Sequence, residues 1–175
     1  MSEFVKIVEV GPRDGLQNEK TPLTLEQRKA LILDLMKTGI KSIEVGSCVS
    51  AKWIPQMAQS DVLFAELPKD PNIQFSLLTP NIKGFESARA VGCQEVAVFT
   101  AASESFTQKN INCSIDESLE KFSDVMAAAK ASNIKVRGYV SCMVDCPYEG
   151  AIDPQRVAKV SKRLLDMGCY EVSLG

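Results

Sequence analysis

The sequence contains no histidine. That excludes every Ser-His or Cys-His nucleophilic arrangement within the chain. It also removes imidazole as a metal ligand, so an ion held here must take oxygen or sulfur donors. No apolar run approaches the roughly 20 residues of a membrane-spanning helix. The N-terminal Met-Ser-Glu-Phe-Val-Lys lacks the charged-then-apolar pattern of a secretory leader. There is no basic tail: 20 Lys and Arg against 22 Asp and Glu leave a formal net charge of −2. Nucleic acid and anionic membranes are thereby disfavoured as partners. Linkers and low-complexity stretches are also missing, so residues 1–175 read as a single domain.

What is present is ordinary for a globular protein, with 45% apolar and 24% charged residues. The six cysteines lie mostly in or beside predicted strands, and they read as free, small apolar residues of a reducing cytoplasm. Cys142-x3-Cys146 has the look of half a zinc site but lacks a second half. Three segments nearly repeat: Gly39-Ile-Lys-Ser-Ile-Glu-Val-Gly46, Gly92-Cys-Gln-Glu-Val-Ala-Val-Phe99 and Gly168-Cys-Tyr-Glu-Val-Ser-Leu-Gly175. In each, a glycine suited to a left-handed helix C-cap precedes a short apolar strand. Asn133 takes the glycine's place in a fourth, Asn133-Ile-Lys-Val-Arg-Gly-Tyr-Val140.

Six strands are predicted, at about 5–11, 42–46, 74–79, 95–100, 135–142 and 170–175, with helices between them. Capping boxes open two helices, at Thr24/Gln27 and Ser114/Glu117, and Asp153-Pro154 opens another. The Ser114 helix carries Ile115, Leu119, Phe122, Met126 and Ala129 as one apolar stripe. Strands alternating with helices imply a parallel sheet. No Gly-x-Gly-x-x-Gly follows the first strand, so a dinucleotide-binding open sheet lacks support. Polar residues recur at strand ends, among them Glu44, Thr79, Thr100, Tyr139 and Ser173, as at the rim of a (β/α)8 barrel. A complete barrel takes about 250 residues. The expected fold is therefore a parallel (β/α) barrel of the TIM type, with its strands in sequential order, cut after strand six.

At the mouth of the first strand stand Arg13 and Asp14, after the Gly11-Pro12 break. Two readings are open. Asp14 can be a hard-oxygen ligand for Mg²⁺ or Mn²⁺, with Arg13 stabilising a developing oxyanion; or the pair is a salt bridge that caps the barrel. Glu44, from the second strand, can orient Arg13, stand behind a metal ligand, or act as a base. Trp53, in the loop around Lys52-Trp53-Ile54-Pro55, reads as a packing anchor at the rim.

The run Val10-Gly-Pro-Arg-Asp-Gly-Leu-Gln-Asn-Glu19 resembles the N-terminal signature of the 3-hydroxy-3-methylglutaryl-CoA lyases. They belong to a wider group of metal-dependent barrel enzymes with an Arg-Asp-Gly-x-Gln element, including isopropylmalate and homocitrate synthases. Ser50-Ala-Lys-Trp-Ile-Pro-Gln-Met57, Leu78-Thr-Pro-Asn-Ile-Lys-Gly-Phe85, Arg137-Gly-Tyr-Val-Ser-Cys142 and Cys146-Pro-Tyr-Glu-Gly150 are similar to the same family. The resemblance covers the whole chain but only the N-terminal part of such an enzyme. It implies cleavage of 3-hydroxy-3-methylglutaryl-CoA to acetyl-CoA and acetoacetate, with a divalent cation, in leucine degradation and ketone-body metabolism. It further implies an acyl-CoA substrate; the open strand edges of a cut barrel favour pairing with a second copy, so a homodimer is expected.

By the same resemblance, Asp14 is a metal ligand, Arg13 polarises the thioester carbonyl, and Gln17 and Glu44 shape the space around them. Tyr139 and Ser173 line the acyl pocket, and Asn110, in the loop after strand four, lies against the CoA arm. Each has a plainer reading: Tyr139 as core, Ser173 as a small strand residue, Asn110 as a loop support. The family's two metal-binding histidines, its asparagine ligand, the acidic residue after Ser-Leu-Gly and a loop cysteine have no counterpart here. The alternatives are a related acyl-CoA or 2-oxo acid lyase or synthase, and a fragment without turnover.

Overall fold

The computed structural model describes residues 5–175; the first four residues of the N-terminal reading lie outside them. The described chain divides into two compact units, one of residues up to Thr79 with Lys83–Glu95, the other of Pro80–Ile82 with Val96–Gly175.

In the first unit a single π-helical turn, Gly11–Gly15, precedes α1 (Leu25–Lys37), β1 (Ser42–Ser47), α2 (Ser60–Glu66), β2 (Gln74–Leu78) and α3 (Ile82–Ala90, from Lys83 onward). Thr24 caps α1 as its spacing requires: its hydroxyl accepts from Gln27 N at 3.2 Å, and Gln27 Oε1 accepts from Thr24 N at 2.9 Å. β1 and β2 pair in parallel. The predicted first strand is reduced to one parallel bridge, Glu9 to Ile43, because the chain turns into a helix at Gly11 instead of continuing extended. Ile32, Ile43, Val45, Leu63, Leu77 and Phe85 are wholly buried. Each contributes on the order of 1.5–3 kcal/mol by leaving water. In α3 Phe85 and Ala88 are wholly buried, whereas Ile82 at its start is exposed.

The register of β1 shifts between Glu44 and Gly46. This bulge breaks the simple alternation of faces. Gly46 abuts α2 so closely that a Cβ there would lie 2.4 Å from Ser60 Oγ. That hydroxyl is already committed: it donates to Met57 O at 2.7 Å and accepts from Ser47 N at 3.1 Å and Arg28 Nη2 at 2.9 Å. Arg28 also holds Ala58 O at 2.7 Å and is almost fully buried. Gly46→Ala is therefore expected to destabilise the protein by about 1–3 kcal/mol through overpacking. The check is a denaturant titration, in which an unchanged midpoint would refute the tight contact.

The second unit runs β3 (Glu95–Ala101, from Val96 onward), α4 (Glu104–Ile111), α5 (Ile115–Ser132), β4 (Lys135–Ser141), β5 (Asp145–Cys146), β6 (Gly150–Ala151), α6 (Pro154–Met167) and β7 (Glu171–Leu174). Its sheet order is β3-β4-β7, with β7 parallel to β4. The β5–β6 pair is a separate antiparallel hairpin. Neither that hairpin nor α4 is expected from the sequence. The apolar stripe of α5 is buried as its spacing predicts. Asn133 and Gly168 take the left-handed C-cap conformation, at φ 54° and 115°, as the repeat pattern requires. Gly138 faces α6, where a Cβ would meet Leu164 Cδ1 at 2.9 Å. Thr100 also turns to the helix layer: its hydroxyl pairs with Ser118 Oγ at 2.8 Å, so it is not a rim residue.

All six cysteines are free thiols, five of them buried. Burial pushes Cys48, Cys93 and Cys169 up to about 12. At neutral pH these three are protonated packing groups and not nucleophiles.

Candidate active site

The Arg13–Asp14 pair sits on the helical turn. Arg13 N and Asp14 N both donate to Val10 O, at 3.0 and 2.7 Å, and Pro12 occupies an early position where a helix needs no N–H. The turn is held against β1 because Glu9 N donates to Ser42 O at 2.9 Å and Glu44 N to Glu9 O at 2.8 Å. Arg13 is thus directed at β1, and its Nε donates to Glu44 Oε1. Its Nη1 donates to Asp14 Oδ1 at 2.8 Å.

The two carboxylates differ in burial. Glu44 is 1% exposed in its side chain, Arg13 11% and Asp14 57%. Arg13 and Glu44 are therefore interdependent, since removing either leaves the other's charge buried without its counterion. Asp14 keeps contact with water. The sequence singles out the adjacent Arg-Asp pair; the structure makes Glu44 the buried partner of Arg13. Three residues beyond Asp14, the Oε1 of half-buried Gln17 is shielded from water and has no hydrogen-bond partner among the described residues.

The other candidate residues belong to the second unit. Tyr139 of β4 and Ser173 of β7 are register partners, as are Arg137 and Glu171. Partners in a parallel ladder lie side by side on one face. Tyr139 and Ser173 are both half-buried. Gly138 faces α6, so Tyr139 projects from the opposite face, away from that helix. Buried Arg137 was not anticipated; it pairs with Glu171 and donates to Tyr170 Oη at 3.2 Å. Asn110 does not lie in a loop. It is an exposed residue of α4, because Ser103 caps a helix there by accepting from Phe106 N at 3.0 Å. Trp53 is 80% exposed and anchors no packing. An open cavity of about 410 Å³ in this unit is lined by Phe106, Cys142, Met143 and Val144 among others, not by Asn110, Tyr139 or Ser173.

Glu149, on the hairpin, was also missed. Its Oε1 accepts from Ser105 N at 2.7 Å and Ser103 Oγ at 2.9 Å, and its Oε2 from Arg156 Nη1 at 2.9 Å. These donors, the Ser105 N–H foremost, hold its carboxyl down at about 2, against an ordinary 4.5. A depressed carboxylate pKa stabilises the fold above the unfolded value and loses that contribution as pH falls toward the folded one. The melting temperature of the wild type should thus exceed that of Glu149→Gln at neutral pH. The gap should close between pH 4.5 and 2. A gap that persists unchanged to pH 2 would show that the carboxylate charge is not what the network stabilises.

Among the described residues no group of three or more His, Cys, Asp or Glu side chains is placed to hold a metal ion. Asp14 offers one carboxylate, and these residues alone do not complete a divalent-cation site. No helix of the described residues is long and apolar enough to cross a membrane.

The geometry has close counterparts among known proteins. A curated hydroxymethylglutaryl-CoA lyase of Pseudomonas mevalonii is 55% identical over 173 residues, covering 99% of this chain and 58% of that protein. The crystal structure of the Pseudomonas aeruginosa hydroxymethylglutaryl-CoA lyase superposes with a TM-score of 0.95 at 55% identity, over 98% of this chain and 57% of the other. An Acinetobacter baumannii HMG-CoA lyase, solved in complex with coenzyme A and 3-methylmalate, matches with a TM-score of 0.93 at 28% identity, over 99% of this chain and 58% of the other. Further relatives carry cytoplasmic and mitochondrial names. The chain thus spans a little more than half the length of these relatives. The HMGL-like family model matches residues 4–175. With strands and helices alternating as in the lyases, whose fold is the TIM barrel, and with the match extending through the Arg13–Asp14 turn, the chain belongs to the HMGL-like family.

Proposed function

We propose that this chain supplies the N-terminal part of a lyase that cleaves 3-hydroxy-3-methylglutaryl-CoA to acetyl-CoA and acetoacetate, and that residues 1–175 form part of one barrel domain. The observation that carries the reading is the buried ion pair between Arg13, on the turn of the signature run, and Glu44 of β1. The reaction is a retro-Claisen cleavage. The tertiary hydroxyl loses its proton and becomes the ketone of acetoacetate as the adjacent C–C bond breaks. The electron pair moves onto the thioester carbonyl, and the resulting enolate of acetyl-CoA is then protonated.

Arg13 stabilises the oxygen on which that charge develops, because a guanidinium stays charged and gains most where charge appears in a dry site. Of the roles open to Glu44, its burial against Arg13 supports positioning: it fixes the guanidinium so that little reorientation is needed during reaction. Gln17, three residues beyond Asp14, carries a shielded acceptor oxygen that suits it to shaping the space around Arg13 and Asp14. Tyr139 and Ser173, side by side on β4 and β7, suit an acyl pocket, and exposed Asn110 suits the coenzyme A arm. The coenzyme A bound to the Acinetobacter relative supports an acyl-CoA substrate.

The family is metal-dependent. Asp14, exposed and hard, is the one donor we assign to a Mg²⁺ or Mn²⁺ ion in the complete enzyme, where such an ion polarises oxygen ligands. We further assign the protein to the cytoplasm, as a homodimer. The test uses the complete enzyme, either the native polypeptide carrying these residues or this chain joined to the C-terminal remainder of the Pseudomonas mevalonii relative. Given 3-hydroxy-3-methylglutaryl-CoA, it should release acetoacetate and acetyl-CoA. If it instead condensed acetyl-CoA with a 2-oxo acid, the synthase reading would replace this one.

A further inference from the structure

The residue that joins the two halves of the Arg13–Glu44 pair is Glu9. Its backbone carbonyl accepts from Glu44 N at 2.8 Å, and its own N–H donates to Ser42 O at 2.9 Å, so its main chain is fastened to β1 on both sides of Ile43. Its side chain reaches the other way: Glu9 Oε1 accepts from Gly11 N at 2.6 Å. Gly11 opens the turn that carries Arg13 and Asp14, and no side chain of the N-cap residue Val10 serves that turn. The first N–H groups of a helical turn have no partner within it. A side-chain oxygen there satisfies one of them. Gly11 is fitted to this contact, because a Cβ on it would lie 2.7 Å from Glu9 Oε1 and would push the carboxylate aside.

We propose that Glu9 is a positioning residue for the cleavage reaction, clamping the Arg13 turn to the strand that carries Glu44 so that the guanidinium is held in register with its buried partner. The inference rests on the lyase reading above and goes beyond it. Glu9 touches neither substrate nor metal; it acts through Gly11 and Glu44. A side-chain oxygen acceptor is what the clamp needs, and not a charge as such.

In the complete enzyme, Glu9→Ala should lower kcat by about 10–10²-fold, with KM changed far less, since a small misplacement of a catalytic group costs that much. Glu9→Gln, which keeps the acceptor, should restore most of kcat. Gly11→Ala, which displaces the carboxylate, should mimic Glu9→Ala. The double variant should be no worse than either single one, because both remove the same contact. Additive losses, or a Glu9→Gln variant as impaired as Glu9→Ala, would overturn the proposal. Where Glu9→Ala does not fold, the Gln and Gly11→Ala arms decide. The contact has a second readout in hydrogen exchange: the Gly11 amide should be protected in the wild type and in Glu9→Gln but fast in Glu9→Ala. Equal exchange in all three would refute the clamp whatever the substrate proves to be. Absence of lyase turnover in the wild type, with the Gly11 amide still protected through Glu9, would refute the lyase reading alone.

Discussion

Replacing Arg13 by Met or Lys in the complete enzyme should lower kcat by about 10²–10³-fold, the loss typical of removing one donor to a developing oxyanion. Lysine is not a rescue. Its ammonium carries the charge but lacks the planar fork that meets Glu44 through Nε and Asp14 through Nη1 at once. Either substitution also leaves Glu44, whose side chain is 1% exposed, without its guanidinium. Some loss of stability should therefore accompany the loss of rate, and a melting curve separates the two. Asp14→Asn is the contrasting case. Its side chain is 57% exposed, so the fold should tolerate the change, while Mn²⁺ affinity measured by titration calorimetry should fall. If Arg13→Lys turned over at the wild-type rate, or Asp14→Asn bound Mn²⁺ as tightly as the wild type, the corresponding assignment would be wrong.

The repeat of a glycine or asparagine followed by a short apolar strand made the alternating architecture legible, because a left-handed cap and a buried strand each leave a local mark. Gly39, Gly92, Asn133 and Gly168 all adopt positive φ. The capping boxes at Thr24 and Ser114 are local in the same way. What could not be read depends on tertiary context. Val5–Val10 has strand composition, yet only Glu9 bridges to β1, since bridging needs a neighbour and composition does not supply one. Ser103 reads as one serine among several until Glu149 and Phe106 N converge on its hydroxyl, so nothing local distinguishes α4, and with it Asn110, from a loop. Arg13, Asp14 and Gln17 stand in one short signature run, so the sequence alone offers them as candidates. That Glu44 and not Asp14 is the buried partner of Arg13 required the register of Glu9 against β1. Buried Arg28 and Arg137 sit in segments whose periodicity says nothing about a cation inside.

The 175-residue chain by itself should release no acetoacetate from 3-hydroxy-3-methylglutaryl-CoA. Magnesium demands six oxygen ligands in near-ideal geometry and gives up its waters reluctantly. The sequence has no histidine to supply a neutral donor, and among the described residues Asp14 has no companion ligands grouped around it. An ion held by one exposed carboxylate exchanges with bulk water and cannot orient a substrate. The sheet adds a second obstacle. β7 pairs with β4, and among the described residues no strand covers its other edge. An open edge of this kind recruits another chain, so the isolated chain should elute from size exclusion as dimers or larger species. Completion changes both: adding the C-terminal remainder of the Pseudomonas mevalonii relative, fused or separately made, should bring acetoacetate release in the presence of Mg²⁺ or Mn²⁺ and remove the species larger than a dimer. Turnover by the 175-residue chain alone would show that no further ligands are needed, and the assignment of Asp14 as one donor among several would then have to be abandoned.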